Sequence, residues 1–462
     1  MQERIGLTAV LNNTIQLLLD RGAEVYLVGG AVRDYLMGEQ TKDLDFEVYG
    51  LQPDELYSAL SAGGIVRAVG KSFGVYLMEH ENAEFALPRR ENKEGRGHKG
   101  FMVEFDPIMT TYEATLRRDF TINSMMLDMR TGEIVDHHGG QVDLDHKMLR
   151  ATSPAYKEDP LRVLRGMQFI SRFDLRPSMV TVEYSKQMLS ESGSLSLERF
   201  WWEWYKWATL GTHLSKGLDF LYRTGWIVRY PMLAMLRGVE QDPGWHPEGD
   251  VWTHTKMVVD NMKAVALSNK LSSDEAMIMV LAALLHDTGK AATTQVNPDT
   301  GRIIAPGHEE ASVDMASQFM DSINTPIWMQ QQVRPLVREH MFRRGRTEDT
   351  VTPRSVRRLA VRLHPASVGQ LTMLMQADAG GRHNRIDGFA HQVNVVAAEV
   401  AVEDAKPEPI LLGRHLIELG QEPGPHFGPI LADAYEAQLD GDFEDRGKAI
   451  DWLKDYLLRR EK

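Results

Sequence analysis

The sequence contains no cysteine. That absence excludes a disulfide scaffold, a zinc ribbon, an iron–sulfur site and a thiol nucleophile. No apolar run approaches the ~20 residues that span a bilayer. The N-terminal MQERIGLTAVLNNTIQLLLDRG is amphipathic, carries acids and lacks a signal-peptide core. A soluble, cytoplasmic protein without a membrane partner is expected. Internal repeats and low-complexity tracts are also missing. Positive charge is in short supply: 52 Lys and Arg stand against 65 Asp and Glu, a net charge of −13. Composition alone therefore argues mildly against a nucleic-acid partner, although a local basic groove can sit on an acidic body. What remains is ordinary globular material, 43% hydrophobic and 25% charged over 462 residues. That is about three domains' worth and leaves no room for wholesale disorder.

Ile5, Leu7, Val10, Leu11, Ile15, Leu18 and Leu19 recur at helical spacing and predict a helix within 1–22. VYLV at 25–28, the pair Gly29-Gly30 and AVRDYLMG closed by Gly38 read as strand, glycine turn and helix. DLDFEVYG (43–50) is a second strand, and GVYLM, EFALP and FMVEF are further strand-like pieces. RRENKEGRGHKG (89–100) reads as a loop. From 157 onward the pattern is helical throughout. Pro243, Gly244, Pro247 and Gly249 mark one boundary, and KPEP at 406–409 marks another. The fold class is α+β, with strands at the front and almost only helices behind. Its segments are 1–150, 151–240, 241–400 and 401–462.

Asp43 and Asp45 are two apart in a strand, so their carboxylates share a face and repel each other. Metal ions that neutralise them could clamp triphosphate oxygens and activate an attacking hydroxyl. Gly29-Gly30, at a helix N-terminus, suits a phosphate. Arg33 projects from that helix's first turn, and Glu84 is a third acid able to complete the cage. The competing reading is a pair of solvated loop acids.

These residues lie in GGAVRDYLMGEQTKDLDFEVYG (29–50), which resembles the signature of polymerase-beta-type nucleotidyltransferases. More closely, it resembles the bacterial class II tRNA CCA-adding enzymes and their poly(A) polymerase relatives. The resemblance continues in family order through RRDFTINSMMLD (117–128), GGQVDLDHKMLRA (139–151), KEDPLRVLRGMQFISRF (157–173) and SLERFWWEWYKW (196–207). It implies an N-terminal nucleotidyltransferase head with a mixed sheet over 1–150 and a helical template and RNA-binding domain over 151–240. It also implies two Mg²⁺ ions on Asp43 and Asp45, with Glu84 as the third catalytic carboxylate. Gly30, Arg33 and Arg118 match positions that grip triphosphate and sugar. Asp119 and Asn123 share the Arg118 motif, where helix-end capping is an equal alternative.

Glu158, Asp159, Arg162 and Arg165 fall at i, i+1, i+4 and i+7. In a helix, Asp159 and Arg162 would be neighbours on one face, with Arg165 a further turn along. An ion pair on a solvated helix is the bland reading. An Asp acceptor beside an Arg donor can instead meet the edge of cytosine or adenine. The resemblance makes this motif the protein template that selects CTP and then ATP. In it Asp159 and Arg162 read the base, and Glu158 holds the arginine. The chain departs from the family at Gln168, where arginine commonly precedes the phenylalanine. PRRENKEGRGHKGF (88–101) corresponds to a flexible loop that helps switch from C to A addition, and a plain surface loop is the alternative.

In the second half, MIMVLAALLHDTGK runs an apolar helix into His286-Asp287, a buried rim where polar groups need partners. WTHTKMVVDN, LLHDTGK, GHEEAS and LMQADAGGR together resemble the HD superfamily of metal-dependent phosphohydrolases. The resemblance implies an HD domain over 241–400. One divalent ion (Mg, Mn, Ni or Co) would be ligated by His254, His286, Asp287 and Asp378. His308 and His340 would serve a second metal or a substrate phosphate, while His246 is left without a role. Ser312 stands where the family often has glycine, and a degenerate, purely structural HD fold is the alternative. ILLGRHLIELGQEPGPHFGPIL (410–431) resembles the C-terminal module of HD-containing CCA-adding enzymes, with 401–462 as a helical module. There Gly420 and the PGP kink would join two helices and could offer N–H groups to an RNA phosphate; a plain linker is the alternative.

The expected function is template-independent addition of CCA to the tRNA 3′ end from CTP and ATP, with HD phosphohydrolase activity. The alternatives are a poly(A) polymerase, or an HD phosphohydrolase with a non-catalytic nucleotide-binding head. A regulatory module without chemistry would need broken metal sites, and Asp43, Asp45, His286 and Asp287 are all present.

Overall fold

The computed structural model describes residues 5–41, 43–70, 74–93, 101–106, 108–342, 351–381 and 388–460. The chain forms two compact units, Met1–Ile227 and Val228–Lys462. Among the described residues, no helix is long and apolar enough to cross a membrane.

The first unit runs α1 (Ala9–Asp20), β1 (Glu24–Val28), α2 (Gly30–Met37), β2 (Leu44–Tyr49), α3 (Pro53–Gly63), β3 (Val66–Gly70), β4 (Val75–Met78) and β5 (Ala83–Ala86). β6 (Arg89–Lys93), β7 (Phe101–Phe105), α4 (Thr111–Leu116), β8 (Met126–Asp128) and β9 (Ile134–Val135) follow. A mixed sheet has the order β3-β4-β5-β2-β1-β8-β9, with β2 and β5 parallel and the other neighbours antiparallel. Strand alternation assigns its faces. Leu44, Phe46 and Val48 enter a core with Val25, Leu27, Ala83 and Phe85 and the apolar sides of α1, α2 and α3. Phe46 and Phe85 stack there at 4.8 Å. Asp45 and Glu47 are thereby turned to the opposite face.

The stretch read as a loop is partly a hairpin. Arg89–Lys93 pairs antiparallel with Phe101–Phe105, and 94–100 lie outside the described residues. A backbone ladder can form without the apolar alternation that a sequence pattern detects. Behind the sheet come α5 (Leu161–Phe173), α6 (Met179–Gln187), α7 (Leu197–Leu210) and α8 (Leu214–Arg223). Gly217 lets α8 approach α5: a Cβ there would lie 2.3 Å from Ser171 Oγ and 2.8 Å from the Met167 carbonyl. The helix predicted to hold Glu158 and Asp159 begins only at Leu161. Glu158 ends a 3₁₀ turn, Pro154–Glu158, and Asp159 is extended at φ −127°.

The second unit comprises α9 (Val251–Ser268), α10 (Ser273–Leu285), β10 (Gln295–Val296), β11 (Ile303–Ile304), α11 (His308–Ser322), α12 (Ile327–Glu339), α13 (Pro353–Leu363), α14 (Val368–Gly380) and α15 (Gly388–Glu399). α16 (Gly413–Glu418), α17 (Phe427–Asp440) and α18 (Arg446–Arg460) pack round their own core of Leu416, Ile430, Phe443 and Leu453. The β10–β11 hairpin is a short interruption of the almost wholly helical pattern expected after residue 157. Its strands have two residues each, too short for a period to register. Every residue of α10 from Ala276 to Leu285 is buried. A box between Ser272 and Glu275 caps its start.

One buried ion pair ties the 117–123 segment to α5. Asp119 accepts from Phe120 N (2.8 Å), Asn123 Nδ2 (3.0 Å) and Arg165 Nε (2.7 Å). Burial opposes its charge, but Arg165, Asn123 and Arg162 outweigh burial and hold the carboxyl below its ordinary pKa. Arg165→Ala should therefore cost about 2–3 kcal/mol at pH 7, the figure for a broken buried pair discounted for the partly exposed arginine. The stability that the depressed pKa confers is full above the unfolded value near ~4 and is lost as pH falls through the folded value. Thermal unfolding should thus show the gap between wild type and variant narrowing from pH 7 to pH 3. An equal gap at both pH values would mean that lost packing, not charge, is responsible.

Candidate active sites

In the first unit, Asp45 of β2 lies opposite Glu84 of β5 in parallel register. Asp43 immediately precedes β2, two residues from Asp45, and its charge is felt at the Asp45 carboxyl. Protein packed round Asp45 raises its pKa and Asp43 raises it further, against the pull of Arg118. Glu84 is raised by burial and then by Asp45. Asp45 and Glu84, both raised, form with Asp43 a set of carboxyl donors that a divalent cation would relieve. The hard oxygen donors fit a metal such as magnesium.

Gly29 has φ 73°, and a Cβ on it would come 3.0 Å from Arg118 Nη1, so glycine keeps this turn open. Arg118 also lies 3.7 Å from Glu47, the next acid on the Asp45 face. Arg33 is buried. It donates to Asn123 Oδ1 (2.6 Å) and to Asp34 Oδ1 (2.7 and 2.9 Å), and its guanidinium lies 4.4 Å from the Phe173 ring centroid.

A cavity of about 470 Å³ brings together Gly30, Arg33, Asp45, Arg118, Asp119, Asn123, Asp159, Arg162 and Arg165. A second, of about 280 Å³, shares Asp45, Arg118 and Arg162 with it and adds Glu84 and Glu158. The predicted first-half residues other than Asp43 line these two clefts.

The expected Asp159–Arg162 pair does not form. Asp159 binds Arg199 at 2.6 Å and caps α5 at Leu161 N (3.1 Å). Arg162 donates to the carbonyls of Ala155 (2.7 Å) and Arg117 (2.5 Å). Arg165 goes to Asp119. With Asp159 outside the helix, i and i+3 no longer imply contact, and backbone carbonyls take the arginine instead. Glu47 and Arg199 were not singled out from the sequence. Glu47 continues the Asp43, Asp45 alternation, whereas Arg199 had no local signal beyond its motif.

In the second unit, His254 lies in the first turn of α9, His286 caps α10, His308 opens α11, His340 caps α12 and Asp378 lies in α14. They converge on Asp287. Its Oδ2 lies 3.2 Å from His286 Nε2 and 3.7 Å from His254 Nε2. Its Oδ1 lies 3.3 Å from His308 Nε2 and 3.5 Å from His340 Nε2. Asp378 Oδ1 is 2.9 Å from His254 Nε2 and 3.9 Å from His286 Nε2.

The other ring nitrogen of each histidine is committed. Nδ1 of His286, His308 and His340 faces the carbonyls of Ala283, Ala305 and Val337 at 2.9, 2.7 and 2.6 Å. A carbonyl only accepts, so each Nδ1 carries a proton, and in a neutral ring Nε2 is then the atom left with a lone pair for a metal. Nε2 of His254 and of His286 is buried without a hydrogen bond among the described residues. The lone pairs and carboxylates fit a divalent ion, and two groupings meet at Asp287: His254, His286 and Asp287, and Asp287, His308 and His340.

Burial opposes the charge of Asp287, yet His286, Lys290 and His308 hold it well below the usual carboxylate range. Lys290 lies 2.7 Å from its Oδ2. Ser312, the departure noted in the sequence, is buried, and its Oγ accepts from Gly289 N at 2.8 Å. A cavity of about 670 Å³ opens over the cluster and includes His246, Trp245, Lys290 and Ile304 in its lining. Glu248 was not anticipated. Burial would push its carboxyl up, but the N–H groups of His254 and His246 outweigh this and bring it to about 2.

Comparison with known proteins agrees with this layout. Residues 25–150 match the Poly A polymerase head domain, and residues 251–385 match the HD domain. The chain is 35% identical over 431 residues to the multifunctional CCA protein of Xanthomonas campestris pv. campestris (strain B100), covering 90% of this chain and 98% of that protein. It is 34% identical over 398 residues to the namesake from Xylella fastidiosa (strain 9a5c), covering 82% and 89%. The Bacillus stearothermophilus CCA-adding enzyme in complex with CTP superposes with a TM-score of 0.66 at 18% identity, over 98% of this chain and 99% of that one. The Thermotoga maritima CCA-adding enzyme complexed with tRNA gives 0.61 at 16% identity, over 98% and 96%. These two likenesses establish the fold. With both catalytic-type clusters assembled and relatives matched nearly end to end, the chain belongs to the multifunctional CCA protein family, tRNA nucleotidyltransferases of the CCA-adding type that carry an HD domain.

Proposed function

We propose that this chain adds C, C and A to the tRNA 3′ end from CTP and ATP without a nucleic-acid template, in the cytoplasm. The observation that carries the reading is the Asp45–Glu84 register, which faces the two carboxylates into clefts that share Asp45 and Arg118, the larger of them walled by Gly29 and Arg33. The proposed parts are a nucleotidyltransferase head, 1–150, a template and RNA-binding domain, 151–240, an HD domain, 241–400, and a C-terminal helical module, 401–462.

Asp43, Asp45 and Glu84 would hold Mg²⁺, which supplies the positive charge that lets a terminal hydroxyl attack the α-phosphorus as pyrophosphate leaves. Arg33 and Arg118, beside the Gly29-Gly30 turn, grip the triphosphate and sugar, and Asn123 orients Arg33. Asp119 anchors Arg165 and so sets the helix that carries the base reader. Asp159, steadied by Arg199, accepts from the amino group of cytosine or adenine. Arg162, held by two carbonyls and with N–H groups to spare, donates to the ring nitrogen. Glu158 shapes the cleft beside it.

In the second unit, His254, His286, Asp287 and Asp378 would ligate one divalent ion (Mg, Mn, Ni or Co), with His308 and His340 toward a second ion or a phosphate. Such a centre supports hydrolysis of phosphate esters, including 2′,3′-cyclic phosphates. Lys290 is placed to balance phosphate charge near Asp287.

Assays with tRNA transcripts ending before CCA, given CTP and ATP separately and together, test the reading directly. Addition of two C residues with CTP alone and completion only with both is expected. Asp43→Ala or Asp45→Ala should abolish addition, at least 10³-fold, while hydrolysis at the HD domain persists. Near wild-type addition in either variant would overturn the metal assignment. Arg162→Ala should relax discrimination among CTP, ATP, GTP and UTP more than it weakens triphosphate binding. A uniform loss with fidelity intact would make it a structural arginine. Asp287→Ala should remove phosphohydrolysis and spare CCA addition. Loss of both in a folded variant would show that the two units are coupled.

A further inference from the structure

Residues 238–250 contain no helix or strand, yet they are closely held. Asp250 accepts from Thr253 N (2.9 Å) at the start of α9 and from Gly238 N (2.7 Å). Val251 N returns to the Val239 carbonyl at 3.0 Å, and His246 N to that of Asp242 at 2.8 Å. Gln241 donates to the Gly249 carbonyl (3.2 Å) and accepts from Lys290 Nζ (2.9 Å). The loop so closed seats Glu248, its side chain 1% exposed, against His254. One oxygen, Oε1, accepts from Nδ1 of His254 at 2.7 Å and from Nδ1 of His246 at 2.9 Å. The other, Oε2, is buried with no hydrogen-bond partner among the described residues.

Bracing a loop needs only a neutral acceptor. A buried carboxylate with one oxygen unmatched is costly, so its charge calls for a role beyond bracing. His254 differs from the other three histidines in its hydrogen bond: their Nδ1–H groups bond backbone carbonyls, and that of His254 bonds a carboxylate. We propose that Glu248 is a positioning residue of the HD metal centre. It keeps the proton of His254 on Nδ1, fixes the plane of the ring and raises the basicity of Nε2. The inference rests on the reading of His254 as a metal ligand. Glu248 acts from behind His254: its Oε1 takes the Nδ1 proton, at the opposite ring nitrogen from the Nε2 that faces Asp287 and Asp378.

Co(II) is the probe in full-length protein, with affinity from competition titration and coordination from the visible d–d band. Wild type is expected to bind with a band that His254→Ala loses. Glu248→Gln keeps shape and acceptor but removes charge, and should weaken Co(II) binding about tenfold. Glu248→Ala should weaken it by up to about 100-fold, and both variants should shift the band. The metal-free Glu248→Gln protein should unfold at the wild-type temperature. Wild-type affinity and band in both Glu248 variants would overturn the proposal. So would weak binding matched by a lowered unfolding temperature in metal-free Glu248→Gln, which marks a structural brace. Retention of the wild-type band by His254→Ala would instead defeat the underlying ligand reading.

Discussion

A carboxylate taken out of water must be given cations or N–H donors in return, and this protein meets that requirement at Asp119 and at Asp287. Asp119 is satisfied by Arg165, Asn123 and the Phe120 amide. Those bonds hold the segment that bears Arg118 and Asn123 to the helix that bears Arg162. Asp287 is paired with Lys290, and imidazoles drawn from α9, α10, α11 and α12 converge on it. In both units the compensated acid is where separate elements meet.

The first site adds acids that are compensated only in part. Protein packed round the exposed Asp45 and the half-buried Glu84 raises both, neighbouring carboxyls raise them further, and Arg118 and Arg89 pull the other way. Their strands cannot relax apart, because Phe46 and Phe85 pack on the other face. The sheet thus holds repelling groups in place by the hydrophobic packing beneath them, the arrangement expected of a cation site.

The second site is rigid for a different reason. α10 is buried on every side, so its end cannot shift without disturbing the core. The histidines of the other helices are oriented by backbone carbonyls or by Glu248, which leaves their Nε2 atoms no freedom of tautomer. Gly289 allows the close approach of α11, since a Cβ there would lie 2.3 Å from the His308 carbonyl. Ser312 then supplies the acceptor for the Gly289 N–H.

Much of this was legible in the chain because it rests on short-range regularities. Strand alternation predicted the face that Asp45 takes, although Asp43 lies just before the strand; the Gly29-Gly30 turn followed from the glycine pair, and an apolar run ending in His286-Asp287 announced a buried polar rim. Ordered motifs pointed to the family before any contact was known. Pairings across distance were illegible. Asp159 chose Arg199 over Arg162 because three residues of spacing imply contact only inside a helix, and α5 starts after it. Glu47 meeting Arg118, Arg165 meeting Asp119 and Glu248 gripping two histidines each join residues whose proximity is set by packing. Residue type and local period determined which groups this protein could use; tertiary structure alone decided which partner each group met, because a buried charge pairs with whatever the surrounding core brings within reach.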